Sequence, residues 1–357
     1  MIITVDKIGS ATSPLGLTDQ LNVGGENMKP RSGDVVAVRA LSESVTYGNI
    51  ELTSGRLAKI SRDDVLVGVL GKRRALKGFV GDIPETLIAG DRLHLLNMGG
   101  VIGECSGHHS SLTDAIEVEV VGNVVDQDGA QMNIDRFGLP PAPALHSSAP
   151  IIVVAGTCMN SGKTVAAAEI IKQANLAGFR VAGGKISGIA CLRDTLNMQD
   201  HGAVATASFL DCGLPSTAGV DDLAPIAKAI INHLNTFAPD LIVIELGDGI
   251  VGGYSVDTVL VDREIQDATA TFVFCASDYV GVAGGMSILG SRGITIDVVA
   301  GSVTDSQMGE DFVESNYGIS AGNARRNGRR LFELTAGNIR QQRTFNRVPF
   351  EAAQIGV

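Results

Sequence analysis

Residues 151–164 read Ile151-Ile-Val-Val-Ala-Gly-Thr-Cys-Met-Asn-Ser-Gly-Lys-Thr164, and they set the architecture of the second half of the chain. The apolar run 151–155 has the length and composition of a buried strand. A loop covers residues 156–162, and a helix is predicted over residues 163–177. Strand, loop and helix in this order are the context of a phosphate-binding loop, so the sequence predicts one here.

The parts of the loop have separate roles in binding phosphate. Its backbone N–H groups can face one anion, and Gly162 lets the chain pass close to that anion. The helix N-terminus adds partial positive charge. Lys163 can reach the β- and γ-phosphates, and the Thr164 hydroxyl can bind Mg²⁺. The predicted nucleotide-binding residues are Gly156, Thr157, Asn160, Ser161, Gly162, Lys163 and Thr164.

The spacing of the loop glycines departs from the usual pattern. Five residues separate Gly156 from Gly162, one more than in the usual pattern G-x-x-x-x-G-K-[ST]. The alternative interpretation is a glycine-containing turn between a strand and a helix, with an incidental lysine. The agreement of strand, loop and helix favours phosphate binding.

The composition indicates a folded chain with sizeable cores. With 357 residues the chain is long enough for two domains. The 44 glycines and the 4% aromatic content suit tightly turned α/β and β structure. The net charge of −11 disfavours non-specific binding to nucleic acid or an anionic membrane. We therefore predict neither a nucleic-acid nor a membrane partner.

No targeting signal is recognised in the sequence, and together with the cysteine usage this predicts a cytoplasmic protein. Residues 1–5 are too short for a leader peptide and are predicted to form a first strand. No apolar run approaches the length of a membrane span. The five cysteines are odd in number and form no Cys-x-x-Cys pair, which indicates reduced thiols.

Residues 1–138 are predicted to form a mainly-β N-terminal domain. Short Val- and Leu-rich runs separated by turn sequences lie at residues 35–39, 65–70, 93–96 and 116–121. Strands at this density, with little helical periodicity, indicate a small β-barrel or sandwich.

Two clusters in this domain could be functional. Cys105, His108 and His109 could bind a metal, but no second cluster is spaced to complete the site. A basic cluster contains Lys72, Arg73, Arg74 and Lys77. A solvated loop is the prediction for it, and contact with an anion or substrate is the alternative.

The remaining chain is divided into a Pro-rich linker at 139–150, a P-loop α/β domain at 151–340 and a C-terminal tail at 341–357. The prolines of the linker prevent regular structure and stiffen it. Within the α/β domain we predict helices at 202–210 and 223–237 and strands at 241–244, 271–275 and 294–300. Short apolar strands alternating with helices indicate a mostly parallel sheet covered on both faces.

Two charged residues follow predicted strands of this sheet. Ligands of such sheets bind at the carboxyl ends of the strands, so Lys185, Glu245 and the phosphate loop are expected in one crevice. A surface lysine is the alternative for Lys185, and capping of the next turn is the alternative for Glu245. Asp248 competes with Glu245 as a metal ligand. Cys158 lies beside a helix N-terminus, which tends to make a thiol more reactive, but no paired His supports a nucleophilic role.

The Arg-rich segment 323–333 is predicted to be a helix. It carries Arg325, Arg326, Arg329 and Arg330. A solvated or dimer-facing helix is favoured over one that contacts phosphate.

The segment Gly156-Thr-Cys-Met-Asn-Ser-Gly-Lys-Thr164 resembles the phosphate loop of dethiobiotin synthetase and its relatives, which share the long spacing. Residues 178–188, 244–249 and 280–294 are similar to later segments of that family in the same order. The wider group includes cobyrinate amidase-type enzymes, MinD-like ATPases and metal-centre GTPases. Cys158 stands where the MinD-like branch has a second lysine.

The chain also departs from dethiobiotin synthetase. That enzyme is a single domain with acidic residues in its loop, whereas this chain has Cys-Met-Asn there and adds the N-terminal β domain. A more distant resemblance is to a bacterial P-loop family of D-glutamate N-acetyltransferases, which would use acetyl-CoA and would not cleave ATP.

The resemblance implies ATP and Mg²⁺ in the crevice, an acceptor oxyanion beside the γ-phosphate, and a homodimer. Lys185 would bind the acceptor carboxylate or the transferred phosphoryl group, and Ser187 would donate a hydrogen bond there. The predicted catalytic residues are Lys163, Lys185 and Ser187, and the predicted metal ligands are Thr164, Glu245 and Asp194.

Three functional hypotheses follow. The first is an ATP- and Mg²⁺-dependent ligase that activates a small carboxylate by phosphoryl transfer before attack by an amine. The second is an acyl-CoA-dependent N-acyltransferase on the same scaffold. The third is a nucleotide-gated binding or chaperone NTPase, with the β domain as the module that binds its partner.

Overall fold

The structure is a computed structural model that describes residues 1–24 and 29–346, with side chains as far as residue 337. Its N-terminal part consists mainly of strands, with two short 3₁₀ helices, Ser10–Leu15 and Ile134–Phe137, and its C-terminal part alternates strands with helices. The strands of the N-terminal part are β1 (Ile2–Thr4), β2 (Lys7–Ile8), β3 (Gln20–Gly24), β4 (Val35–Ala40), β5 (Asn49–Glu51), β6 (Leu57–Lys59), β7 (Val65–Leu70), β8 (Arg73–Arg74), β9 (Phe79–Asp82), β10 (Arg92–Leu95), β11 (Val101–His108) and β12 (Glu117–Val125).

Strands of the N-terminal part close into a small barrel. Strand β4 pairs with β12 and β7, β11 pairs with β7 and β10, and β10 pairs with β12. Alternate residues such as Val36 and Val38 on β4 and Val118 and Val120 on β12 form one buried cluster, because successive side chains of a strand point to opposite faces. The predicted β fold is confirmed, and closure of this ring makes it a barrel.

Two residues of the basic cluster, Arg73 and Arg74, do not lie in the predicted solvated loop, whereas Lys77 lies in an exposed turn. Arg73 and Arg74 form β8, and Arg73 is only 3% exposed. Its guanidinium lies 5.1 and 5.7 Å from the ring centres of Tyr47 and Phe79, and it donates to the carbonyl of Leu96. Arg73 is therefore part of the domain interior, where cation–π contacts replace water.

The side chains of the Cys105–His cluster are directed to other partners. His108 Nε2 lies 3.1 Å from the Asp114 carboxylate, and His109 Nδ1 lies 2.8 Å from the Ser111 hydroxyl. Among the described residues, no group of three or more His, Cys, Asp or Glu side chains could hold a metal ion.

The C-terminal part contains a seven-stranded sheet whose pairs are all parallel. The strand order is β15-β14-β16-β13-β17-β18-β19. These strands are β13 (Ile151–Gly156), β14 (Val181–Lys185), β15 (Ala205–Ser208), β16 (Leu241–Glu245), β17 (Thr269–Cys275), β18 (Val298–Ala300) and β19 (Ser320–Ala321). The helices are α1 (Lys163–Leu176), α2 (Arg193–Asp200), α3 (Ala224–Asn235), α4 (Val256–Leu260), α5 (Arg263–Ala268), α6 (Tyr279–Gly290), α7 (Gln307–Tyr317) and α8 (Ala324–Asn346).

The central strand β13 is buried along its whole length. Its neighbours are β16 and β17, and helices cover the sheet, which explains the continuous apolar run. The predicted α/β class with a parallel sheet is therefore confirmed.

The helix predicted at residues 202–210 is wrong. Residues 205–208 form the edge strand β15, paired in parallel with β14, and a short 3₁₀ turn, Phe209–Cys212, follows. Ser208 caps this turn with its hydroxyl. The glycines Gly202 and Gly213, both at positive φ, leave little room for a helix, and the strand gains a full ladder of hydrogen bonds instead.

Residues 139–150 form neither helix nor strand and run along α3. The N–H groups of His146 and Ala149 donate to the side-chain oxygens of Asn232 and Asn235, each at 2.9 Å. Apolar residues of this segment pack against a buried cluster that includes members of both domains. The linker is therefore fixed against the α/β domain along its length.

The Arg-rich segment forms part of α8 and pairs with α7. Arg326 lies 3.4 Å from Glu310, and Arg330 lies 2.9 Å from Glu314. Residues 347–357 of the predicted tail lie outside the described residues. Within the described chain, no helix combines the length and the apolar character needed to cross a membrane.

Replacing Asn235 with alanine should loosen the segment 139–150. The side chain accepts from Ala149 N–H and donates to Ser148 Oγ at 3.0 Å. Loss of these bonds should lower the free energy of unfolding by about 1–2 kcal/mol and speed proteolysis within 139–150. Urea denaturation and limited proteolysis measure both. Asn316→Ala, at an exposed position of α7, should change neither; equal sensitivity in both variants would contradict the assignment.

Candidate functional site

The phosphate loop joins the buried end of β13 to the start of α1. Gly162 precedes the helix at φ 102°, a conformation that side chains other than glycine rarely adopt. A Cβ at Gly162 would also lie 2.9 Å from Cα of Gly301. The loop is tied to the neighbouring strand by a 3.0 Å bond from Thr157 N–H to the Cys275 carbonyl. Glycine is therefore required where the chain turns into α1.

Lys163 is a buried ammonium group without a negatively charged partner. The residue is 5% exposed, and its Nζ donates to the Cys158 carbonyl at 2.7 Å and lies 3.4 Å from Ser161 Oγ. It forms no ion pair with any side chain that the structure describes. Burial lowers the pKa of Lys163, and the negative charge of Glu245 opposes this. A buried charge with only neutral acceptors is costly, so this position favours an anionic ligand.

Glu245 connects the loop helix to the next strand of the sheet. Its Oε1 accepts a 2.9 Å bond from the Thr164 hydroxyl and a 2.6 Å bond from Lys185 Nζ. Lys185 and Glu245 are register partners on β14 and β16. Lys185 also lies 2.8 Å from Asp194 Oδ2, near the start of α2. Four sequence-predicted residues therefore meet at the carboxyl edge of the sheet.

The charges in this group stabilise one another. Burial acts to lower the pKa of Lys185, but the carboxylates of Asp194 and Glu245 outweigh burial, and its pKa is raised. Burial acts to raise the pKa of Asp194, but the Lys185 ammonium outweighs it, and that pKa is lowered. At neutral pH Lys185 and Asp194 are therefore both charged.

Two buried carboxylate oxygens in the group lack a hydrogen-bond partner among the described residues. They are Glu245 Oε2 and Asp194 Oδ1. Buried acceptors are normally satisfied, so such atoms call for an explanation. With the Thr164 hydroxyl beside it, Glu245 supplies the hard oxygen ligands that Mg²⁺ prefers. The residues present thus fit a magnesium ion at Thr164 and Glu245, with the Lys185 ammonium as a competitor for the same carboxylate.

Ser187 and Asp248 hold loops in place. The Ser187 hydroxyl is fully buried and donates to the Gly247 carbonyl at 3.0 Å. Asp248 accepts from the backbone of Met159 in the phosphate loop and from that of Gly249, and burial raises its pKa against the charge of Lys163. The predicted contact of Ser187 with an acceptor stays a prediction.

Residues of the β domain also contact these loops, and no motif in the sequence indicates them. Glu51 accepts from Leu192 N–H at 2.7 Å, and Asn97 donates to the Ala190 carbonyl at 2.7 Å. The backbone N–H of Arg74 donates to the Tyr254 hydroxyl at 3.1 Å. These pairs are far apart in sequence, so only the folded chain shows them.

Comparisons with known proteins find structural matches of low overall similarity. The signal recognition particle receptor FtsY from Elizabethkingia anophelis is 12% identical, with a TM-score of 0.36 over 55% of this chain and 68% of that chain. The signal recognition particle 54 kDa protein from Aeropyrum pernix, in complex with GDP, is 14% identical, with a TM-score of 0.36 over 57% and 51%. A duf1611 family protein from Anabaena variabilis is 13% identical, with a TM-score of 0.40 over 60% and 65%.

A comparison with protein-family models finds no match, and a comparison with curated proteins finds none either. None of the three structures is described as a dethiobiotin synthetase, so that resemblance stays a prediction. Similarity at this level says nothing about activity. The fold itself is a seven-stranded parallel sheet in which a glycine-containing loop joins β13 to the N-terminus of α1.

A ligand in the loop should protect Cys158 from alkylation. The thiol is half-buried in the loop, 3.7 Å from Ser277 Oγ. At a ligand concentration about tenfold above Kd, the free fraction and the labelling rate should both fall about tenfold. Peptide mass spectrometry with and without ATP measures the rate. Cys275 is the internal control, because burial raises its pKa to about 12 and it should stay unlabelled until the protein unfolds. Unchanged Cys158 labelling at saturating nucleotide would argue against this loop as the site.

Proposed function

We propose that the protein binds a nucleoside triphosphate with Mg²⁺ and uses it to activate a small carboxylate, as an ATP-dependent ligase does. The observation that carries the proposal is the buried ammonium of Lys163, which lies at a helix N-terminus among neutral acceptors. A phosphate group would provide the missing negative charge, and the loop N–H groups would add hydrogen bonds to it.

Thr164 and Glu245 are the residues that would hold the metal. The Thr164 hydroxyl already donates a hydrogen bond to Glu245 Oε1, and Glu245 Oε2 has no hydrogen-bond donor among the described residues. When bound, Mg²⁺ would neutralise charge on the β- and γ-phosphates. Lys185 would then give up Glu245 and keep Asp194, which it contacts at 2.8 Å. Direct ligation by Asp194 is the alternative for that carboxylate.

Lys185 would bind the acceptor carboxylate or the transferring phosphoryl group. Its raised pKa keeps it charged, and phosphoryl transfer needs mainly positioning and charge neutralisation. Lys163 and Lys185 would supply two positive charges from adjacent elements of the crevice. The carboxylate oxygen would attack the γ-phosphorus, the nucleoside diphosphate would leave, and an amine would then displace phosphate from the acyl phosphate.

The two other hypotheses make different demands on the same site. An N-acyltransferase would bind acyl-CoA in the loop without needing Mg²⁺. A binding or chaperone NTPase would hydrolyse nucleotide slowly and would be stimulated by a protein partner. A homodimer is also proposed, and analytical ultracentrifugation would test it.

Lys163→Ala should abolish nucleotide binding. A thermal-shift screen of ATP, GTP and acetyl-CoA, each with and without Mg²⁺, tests this, because a ligand about 100-fold above Kd stabilises by roughly 2.7 kcal/mol. We expect stabilisation by a triphosphate with Mg²⁺, lost in Lys163→Ala and kept in Lys172→Ala, an exposed lysine of the same helix. Stabilisation by acetyl-CoA alone, unaffected by Mg²⁺, would favour the acyltransferase.

Lys185→Met should separate binding from chemistry. Hydroxylamine traps an acyl phosphate as a hydroxamate, so incubation with ATP, Mg²⁺ and a panel of amino acids and dicarboxylates reports activation directly. Loss of one charge that stabilises the transition state should cut hydroxamate formation about a hundredfold, while nucleotide affinity changes little. Lys59→Met, at an exposed lysine of the β domain, should leave both nucleotide affinity and hydroxamate formation unchanged. If wild type hydrolyses ATP without hydroxamate from any acid, the ligase proposal fails.

A further inference from the structure

Glu51 of the β domain is a buried carboxylate without a positive partner in the described chain. The residue lies at the end of β5 and is 1% exposed. Its Oε2 accepts from the Leu192 N–H at 2.7 Å and from the Ser10 hydroxyl. Removing a carboxylate from water is costly unless hydrogen bonds compensate, so these donors fix where the side chain lies.

The bond from Leu192 caps a helix of the other domain. Leu192 is the N-cap of α2 and makes no side-chain capping bond of its own. The first N–H groups of a helix lack partners inside the helix, and a carboxylate at that end also meets the partial positive charge of the helix. Glu51 therefore supplies the cap of α2 from a position 141 residues away in sequence.

A second buried side chain of the β domain holds the same segment. Asn97 is 3% exposed and donates to the Ala190 carbonyl, while its Oδ1 accepts from Val101 N–H at 3.1 Å. A Cβ at Gly99 would lie 2.1 Å from the Ala190 carbonyl oxygen. The backbone at Gly99 therefore packs directly against the backbone at Ala190, with no room for a side chain. Residues 190–192 are thus fixed to the barrel by polar bonds and close packing.

The segment held in this way carries Asp194 into the site. Asp194 lies two residues after Leu192, in the first turn of α2, and pairs with Lys185 at 2.8 Å. We propose that Glu51 is a positioning residue, which fixes Asp194 through the start of α2 and thereby sets where Lys185 lies. The β domain thus controls the geometry of the site in the α/β domain; the kinetic consequence rests on the proposed function, whereas the structural consequence does not.

Hydrogen exchange tests the structural step without any activity assay. In Glu51→Ala, the amides of residues 190–196 should exchange faster than in wild type, with the P-loop helix α1 unchanged. Glu51→Gln keeps an acceptor oxygen and should restore most of the protection. Glu104→Ala, at an exposed glutamate of β11, is the matched control. Unchanged exchange at 190–196 in Glu51→Ala would overturn the proposal. If that variant does not fold, Glu51→Asp, whose shorter side chain withdraws the carboxylate from the Leu192 N–H, should give the same faster exchange in its place.

Kinetics test the step from Glu51 to Lys185. Glu51→Ala should lower kcat about tenfold, as a small displacement of a positioned group does, with nucleotide Kd within about twofold because the phosphate loop is untouched. In an Asp194→Asn background the same substitution should have little further effect. Multiplicative losses in the double variant would show that Glu51 acts elsewhere. If wild type shows no turnover, the proposed function fails. The hydrogen-exchange result still decides whether Glu51 holds the start of α2 in place.

Discussion

The Oε1 atom of Glu245 accepts two hydrogen bonds, one from the Thr164 hydroxyl and one from the Lys185 ammonium. This single side chain, 1% exposed, joins the loop helix to the ends of two neighbouring strands. Parallel strands bring their carboxyl ends to one edge, and here the register places Lys185 directly beside Glu245. The site is consequently a property of the sheet, and any slip of β14 against β16 would dismantle it.

The sequence allowed the α/β domain and the core of the site to be predicted because their determinants are local. The run from Ile151 to Thr164 contains a strand, a loop and the start of a helix within one short segment. Its capacity to bind phosphate follows from the types of residue in the loop. Lys185 and Glu245 could be predicted to lie in one crevice because each comes at the end of a strand of the parallel sheet. The barrel was predicted only as one of two β architectures, because ring closure depends on β12 pairing with both β4 and β10.

Other features depend on contacts that no short window contains. Arg73 was assigned to a solvated loop, yet Tyr47 and Phe79 enclose its guanidinium; charge patterning cannot reveal which aromatic residues fold over a cation. Residues 202–210 were predicted as helix, whereas an available edge next to β14 made them strand, since tertiary pairing overrides weak local propensity. Glu51 carries no motif at all, and its role appears only with Leu192 beside it.

Closure of the barrel through β12 also bears on how the chain acquires its shape during synthesis. The strand that completes the ring is the last one of the N-terminal part. Before β12 has been synthesised, the nascent chain has two unpaired strand edges, at β4 and at β10. Strand β12 is the partner of both. Exposed edges invite pairing with other chains, and domains near the N-terminus usually fold first as they emerge. Emergence of residues 117–125 is therefore the moment at which both edges are covered.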